Sequence, residues 1–167
     1  MEEIFIRLCV IREFHVHLHS IFFKMARFLA IDYGQKRTGI AVTDLESIIA
    51  SPLITLPTAK TMDWILEYIK NEPVSTIVVG KAIDMNGKPS PSSHFIEPFV
   101  RRLNNALSSS SIKIVRMDER FTSVMAHQTL IEAGISRKIK NDKGMVDKVS
   151  AAIILQSYMQ SLTNKRT

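Results

Sequence analysis

The sequence is poor in cysteine. Among its 167 residues only Cys9 carries a thiol, and it lies within the first 24. The rest of the chain can therefore form neither a disulfide nor a cysteine-built metal site, which suits a reducing compartment. No run of about 18 uncharged apolar residues occurs, so no segment is expected to span a bilayer. An export signal is also missing: Glu2 and Glu3 are wrong for a basic start, Arg7, Arg12 and Glu13 break any apolar centre, and no small-x-small cleavage site follows.

What is present is a chain long enough for one domain with a proper core, with 46% hydrophobic content. Lys and Arg number 22 against 16 Asp and Glu, and the net charge of +6 favours an anionic partner, nucleic acid being the commonest. Residues 1–24 read as an N-terminal extension or a start-site artefact ahead of Met25. They contain Arg7, Arg12 and Lys24 against Glu2, Glu3 and Glu13, so the positive charge belongs entirely to 25–167. His15, His17 and His19 alternate as strand residues on one face would, without an obvious companion ligand.

The chain is organised around 27–43. Phe28 to Ile31 reads as a buried strand ending on Asp32 and a glycine turn; Thr38 to Thr43 reads as a second strand. Tyr33 to Arg37 then form a hairpin tip carrying Lys36 and Arg37. An acid on a rigid strand beside a basic loop can hold a divalent metal next to a phosphate, although D-x-G also marks plain tight turns. A third strand, Ile48 to Leu56, contains Pro52 and suits a sheet edge or a kink. Thr61 is a candidate cap for a helix with Met62, Ile65, Leu66 and Ile69 on one face, ended by Asn71-Glu72-Pro73. Trp64 reads as a packing residue there.

Val74 to Gly80 has the β-branched character of a central strand, expected parallel to the first. A polar loop over 81–92 follows, and loops at such strand ends line sites. A helix begins at Ser92 or Ser93, with Phe95, Phe99, Leu103 and Leu107 on its inner face and Arg101 and Arg102 elsewhere. Ile112 to Met117 reads as a strand that runs into Asp118-Glu119-Arg120, then a helix to Ala133. The charged stretch 135–148, with Arg137, Lys138 and Lys140, reads either as a solvated loop or as a backbone-binding one. Val146 to Leu162 is expected to be a helix nearly apolar all round over 149–155, with Asp147 in its first turn, where the dipole favours an anion.

Three antiparallel strands followed by two strand–helix crossovers place the first and fourth strands side by side, the α/β architecture of a ribonuclease H-like fold with a five-stranded mixed sheet. Asp32, Asp118/Glu119 and Asp147 would then gather at the rim of the sheet. Carboxylates gathered this way repel one another unless metal ions bridge them.

Asp32-Tyr-Gly-x-Lys-Arg-Thr-Gly-Ile-Ala, Ile77-Val-Val-Gly, Asp118-Glu-Arg-Phe-Thr-Ser and Val146-Asp147-x-x-Ser-Ala-Ala-x-Ile-Leu-Gln together resemble the YqgF-type pre-16S rRNA nucleases, relatives of Holliday junction resolvases. The resemblance covers 26–162. It implies a cytoplasmic nuclease that trims the 5′ end of the small-subunit rRNA precursor, with Asp32, Glu119 (or Asp118) and Asp147 as its catalytic acids. In that reading Asp32, Glu119 and Asp147 hold Mg²⁺ or Mn²⁺, and Lys36, Arg37, Arg120, Arg137, Lys138 and Lys140 attract the nucleic acid. His127 is a conceivable proton shuttle. Lys81-Ala82 depart from the residue-plus-proline pair common in the family after Val-Val-Gly, which bears on the shape of that loop. Branched DNA is the rival substrate, and a non-catalytic RNA-binding assembly factor the rival role. An actin-like ATPase would need a second glycine-rich phosphate motif and a second domain, for which this chain has no room. A monomer or weak homodimer is expected.

Overall fold

The computed structural model describes residues 25–81, 93–118 and 142–164. Five strands form one sheet: β1 (Arg27–Tyr33), β2 (Arg37–Thr43), β3 (Ala50–Pro57), β4 (Val74–Lys81) and β5 (Lys113–Asp118). Their order across the sheet is β3-β2-β1-β4-β5. β1, β2 and β3 pair antiparallel, while β1, β4 and β5 run parallel, so β1 lies at the centre between a parallel and an antiparallel neighbour. This is the mixed sheet of a ribonuclease H-like fold, as the order of strands and helices in the sequence predicts.

Side-chain alternation divides the core. Leu29, Ile31 and Tyr33 of β1, with Ile40, Val42, Ile77 and Val79, meet helices α1 (Thr61–Asn71) and α2 (Ser93–Ala106) through Ile65, Phe99 and Leu103. On the opposite face, the small residues Ala30 and Ala41, with Val78, let α3 (Lys143–Asn164) approach closely through Ala151, Ile154 and Leu155. Asp32 shares the α3 face with Ala30 by the two-residue period of a strand. Within 149–155, Val149, Ser150, Ala151, Ile154 and Leu155 are buried where the helix lies on the antiparallel half of the sheet, while Ala152 and Ile153 are half-buried.

Several boundaries differ from expectation. Tyr33 and Arg37 belong to strands, which reduces the hairpin tip to 34–36. β3 begins at Ala50, and Ile48 and Ile49 stand about 60% exposed in the preceding loop (62% and 61%). Pro52 does sit on an edge strand: Ile40 pairs with Ile54 and Ala41 with Pro52, so the ladder skips Leu53 in a bulge. Thr61 makes no cap; a short 3₁₀ turn, Thr58–Lys60, leads into α1, and Thr61 is its fully buried first residue. α3 starts three residues before Val146, so Asp147 lies in its second turn and gains nothing from the helix start. Of the expected loop over 81–92, Lys81 belongs instead to β4 as its last residue, and the remainder, with the helix to Ala133, the 1–24 segment and residues 135–141 of the charged stretch, lies outside the described residues. No helix among those described is long and apolar enough to cross a membrane.

Candidate active site at the carboxyl end of β1

The site grows from one row across three strands. Asp32 pairs with Gly39 and Gly39 with Thr55, so β1, β2 and β3 present these residues side by side. The start of α3 lies on that row. A side chain at Gly39 would run into the carbonyl of Asp147 and come within 2.8 Å of the Lys148 nitrogen. Gly39 is therefore glycine because a helix backbone rests on it, and the contact brings the main chain of Asp147 over the residue directly opposite Asp32. Residues paired across antiparallel strands have Cα atoms about 5 Å apart.

Other bonds fix the start of α3. The Asp142 carboxylate accepts the Gly144 N–H (2.8 Å), the pattern of an N-cap, and the Val146 N–H bonds to the Asp142 carbonyl. Thr55 Oγ1 donates to the Gly144 carbonyl at 2.5 Å. The Arg37 Nε then donates to Asp147 Oδ2 at 2.7 Å, with the arginine 41% and the aspartate 25% exposed. Arg37, expected among the nucleic-acid contacts, is thus placed on the carboxylate itself.

Asp32 is held from the other side of the sheet. Its neighbour Tyr33 points into the α2 face and stacks on Phe99 with ring centroids 4.0 Å apart, which fixes the end of β1. Lys36 occupies the exposed hairpin tip and is in no ion pair among the described residues. Asp118 ends β5, paired with Lys81 at the same end of the sheet. With β4 intervening, its backbone stands two strand spacings from β1, roughly 10 Å. At that end Arg116 ties β5 to α2 through Glu97 (2.8 Å) and to the Gly80 carbonyl (3.0 Å).

Of the residues singled out from sequence, Asp147 has its main chain over Gly39, the residue paired with Asp32, Arg37 bonds the Asp147 carboxylate, Lys36 precedes it at the hairpin tip, and Asp118 ends β5. Glu119, Arg120, His127, Arg137, Lys138 and Lys140, like His15, His17 and His19, lie outside the described residues. Among the described residues no group of three or more His, Cys, Asp or Glu converges. Two aspartates over a glycine cradle are nonetheless hard oxygen donors of the type Mg²⁺ and Mn²⁺ prefer, and they fit such an ion. The sequence reading missed Asp142 as a cap, although Asp-x-Gly before an apolar run signals one, and missed Thr55 and Thr58, which carry no local signal.

A mixed α/β sheet with one carboxylate at the end of the central strand and another early in the last helix is the arrangement of the ribonuclease H-like class. The family model RuvX, described as Holliday junction resolvase, matches residues 26–161. The chain belongs to this RuvX family. Proteins from Phocaeicola vulgatus and Bacteroides fragilis, each named "Putative pre-16S rRNA nuclease", are 48% and 49% identical to it over 137 residues, 82% of this chain and 97% and 98% of theirs. A Porphyromonas gingivalis protein of the same name is 49% identical over the same length. The family is thus one whose members carry the names of nucleases.

Proposed function

We propose that the chain is a divalent-metal-dependent nuclease that processes the 5′ end of pre-16S rRNA in the cytoplasm, as a monomer or weak homodimer. The seating of the Asp147 main chain on Gly39, the residue paired with Asp32, supports this reading, together with the names borne by relatives. In this proposal Asp32, Asp147 and Glu119, with Asp118 beside it, hold Mg²⁺ or Mn²⁺. Bound there, a pair of such ions would supply a nucleophile from water at neutral pH and neutralise charge on the leaving oxygen.

The chain's own residues do the rest. Asp32 is fixed by the central strand and Asp147 by the start of α3, so neither carboxylate must be ordered when substrate arrives. Arg37 orients Asp147 through its 2.7 Å bond to Oδ2. Lys36, with Arg37, Arg120, Arg137, Lys138 and Lys140, attracts phosphates along the strand, an attraction that weakens as salt rises.

The test is cleavage of a precursor 5′ fragment by the full chain, with and without Mg²⁺ or Mn²⁺, beside Asp32→Asn and Asp147→Asn. Cutting that needs metal and disappears in both variants supports the reading; cutting that persists in both folded variants removes it. The family model's description favours a second substrate, the four-way DNA junction. Competition between the two nucleic acids decides which is cut, and metal-independent RNA binding without turnover would favour an assembly factor instead.

A further inference from the structure

Both carbonyls that flank Gln35 at the hairpin tip are pinned by a single residue from another strand's end. Thr58, immediately after β3, donates its N–H to the Lys36 carbonyl at 3.2 Å and its hydroxyl to the Gly34 carbonyl at 2.7 Å. The buried Thr38 hydroxyl lies 3.2 Å from Thr58 Oγ1. A threonine has one hydroxyl hydrogen, and that of Thr58 is committed to Gly34, so Thr38 must donate to Thr58. The relay runs Thr38 to Thr58 to Gly34, and Gly34 closes the turn by donating its N–H to the Arg37 carbonyl at 3.0 Å. A side chain at Gly34 would meet that same carbonyl.

Exposed three-residue tips usually hinge, because few contacts oppose their backbone entropy. Here the tip bears Lys36 and leads directly into Arg37, which holds Asp147. We infer that Thr58 is a positioning residue: it fixes the backbone from which Lys36 reaches a phosphate and from which Arg37 reaches Asp147. The inference rests on the nucleic-acid reading above. It assigns Thr58 no contact with the reacting atoms.

The experiment uses the full chain, Thr58→Val, Thr58→Ser, Lys36→Gln and the Thr58→Val/Lys36→Gln double variant. Binding is read by anisotropy from a labelled single-stranded precursor RNA and from a labelled four-way DNA junction, without metal, across about 50–200 mM KCl. Thr58→Val is expected to weaken binding about tenfold and to lower the slope of log K against log salt by roughly 0.7 on the single strand, the share of one phosphate contact. Lys36→Gln should do the same, the double variant should lose little more than either single, and Thr58→Ser should bind as the parent does.

An unchanged salt slope in Thr58→Val, or additive losses in the double variant, overturns the inference. So does a lowered Tm with normal binding, which is what a purely structural threonine would show. Thr58→Ala reports the same quantities should the valine variant fail to fold. Parent chain that binds without metal-dependent cleavage defeats the nuclease reading alone, while intact cleavage without Thr58–Lys36 coupling defeats this inference alone. Parent chain that binds neither probe defeats both.

Discussion

Arg37 and Asp147, 110 residues apart in sequence, are joined by a 2.7 Å bond from Nε to Oδ2 at the point where β2 meets the last helix. Both side chains are partly exposed, so the pair's worth to folding is discounted by solvent. A double-mutant cycle of Arg37→Ala and Asp147→Asn should give a coupling of at most about 1 kcal/mol in chemical denaturation. Cleavage should respond differently, falling at least about 100-fold in Asp147→Asn, on the order of 3 kcal/mol of barrier. A coupling well above that bound would make the pair a fold element before a site element.

Gly39→Ala should be costly out of proportion to its size. The added methyl meets helix backbone, which cannot rotate away, so about 3 kcal/mol of destabilisation is expected. For a domain of this length that is a fall in Tm of roughly 6–12 °C. A calorimetric scan within 2 °C of the parent, allowing for roughly 0.5 kcal/mol of scatter, would mean that α3 is not seated on β2 as described.

Metal should stabilise the fold through the two aspartates. At a free Mn²⁺ concentration 100 times the dissociation constant, linkage gives about 2.7 kcal/mol. The parent chain's Tm should therefore rise with Mn²⁺, and that of Asp32→Asn or Asp147→Asn should rise far less. In metal-free buffer Asp147→Asn should lose no more than its pair with Arg37 is worth, about 1 kcal/mol. Equal Mn²⁺ shifts in all three would place the ion elsewhere.

Thr61→Val should be neutral or stabilising. Thr61 is fully buried at the start of α1, and its hydroxyl has no hydrogen-bond partner among the described residues. Replacing it with a methyl of similar shape removes an uncompensated desolvation of about 1–3 kcal/mol. A loss of stability in urea titration would show that the hydroxyl is satisfied after all.

Asp44 should make acid stability pH-dependent. The Ile49 and Ile48 amides, at 3.0 and 2.7 Å from Oδ1, hold its carboxyl below the usual range. Because the folded value is depressed, the stabilisation is present above the unfolded carboxyl's pKa of roughly 4 and is lost as pH falls through the folded value. Asp44→Asn should flatten that part of the Tm–pH curve; an unchanged curve would assign the acid sensitivity to other carboxylates.

Strand identities and their order were readable from sequence because β-branched runs, turn residues and alternation are local signals. Val74 to Lys81 and Lys113 to Asp118 carry them plainly. Asp32 and Asp147 were also readable, each as an acid at the edge of an apolar element. The reason Gly39 is glycine was not readable, since it depends on a helix that begins more than a hundred residues later. The same holds for Thr58, whose partners lie across a hairpin, and for Thr61, where a 3₁₀ turn displaced the cap that its position suggested. The placing of Arg37 on Asp147 likewise needs the third dimension; in sequence it is one of two adjacent cations.

The central place of β1 has a dynamic consequence. Its amides are bonded on both sides and its two faces are covered by helices, so they should exchange with solvent only on global opening, whereas the α3 start is fastened to the sheet by side-chain bonds from Thr55 and Arg37. One acid rides on the last part of the molecule to open, and the other on a helix start that is released only when its bonds to β2 and β3 break.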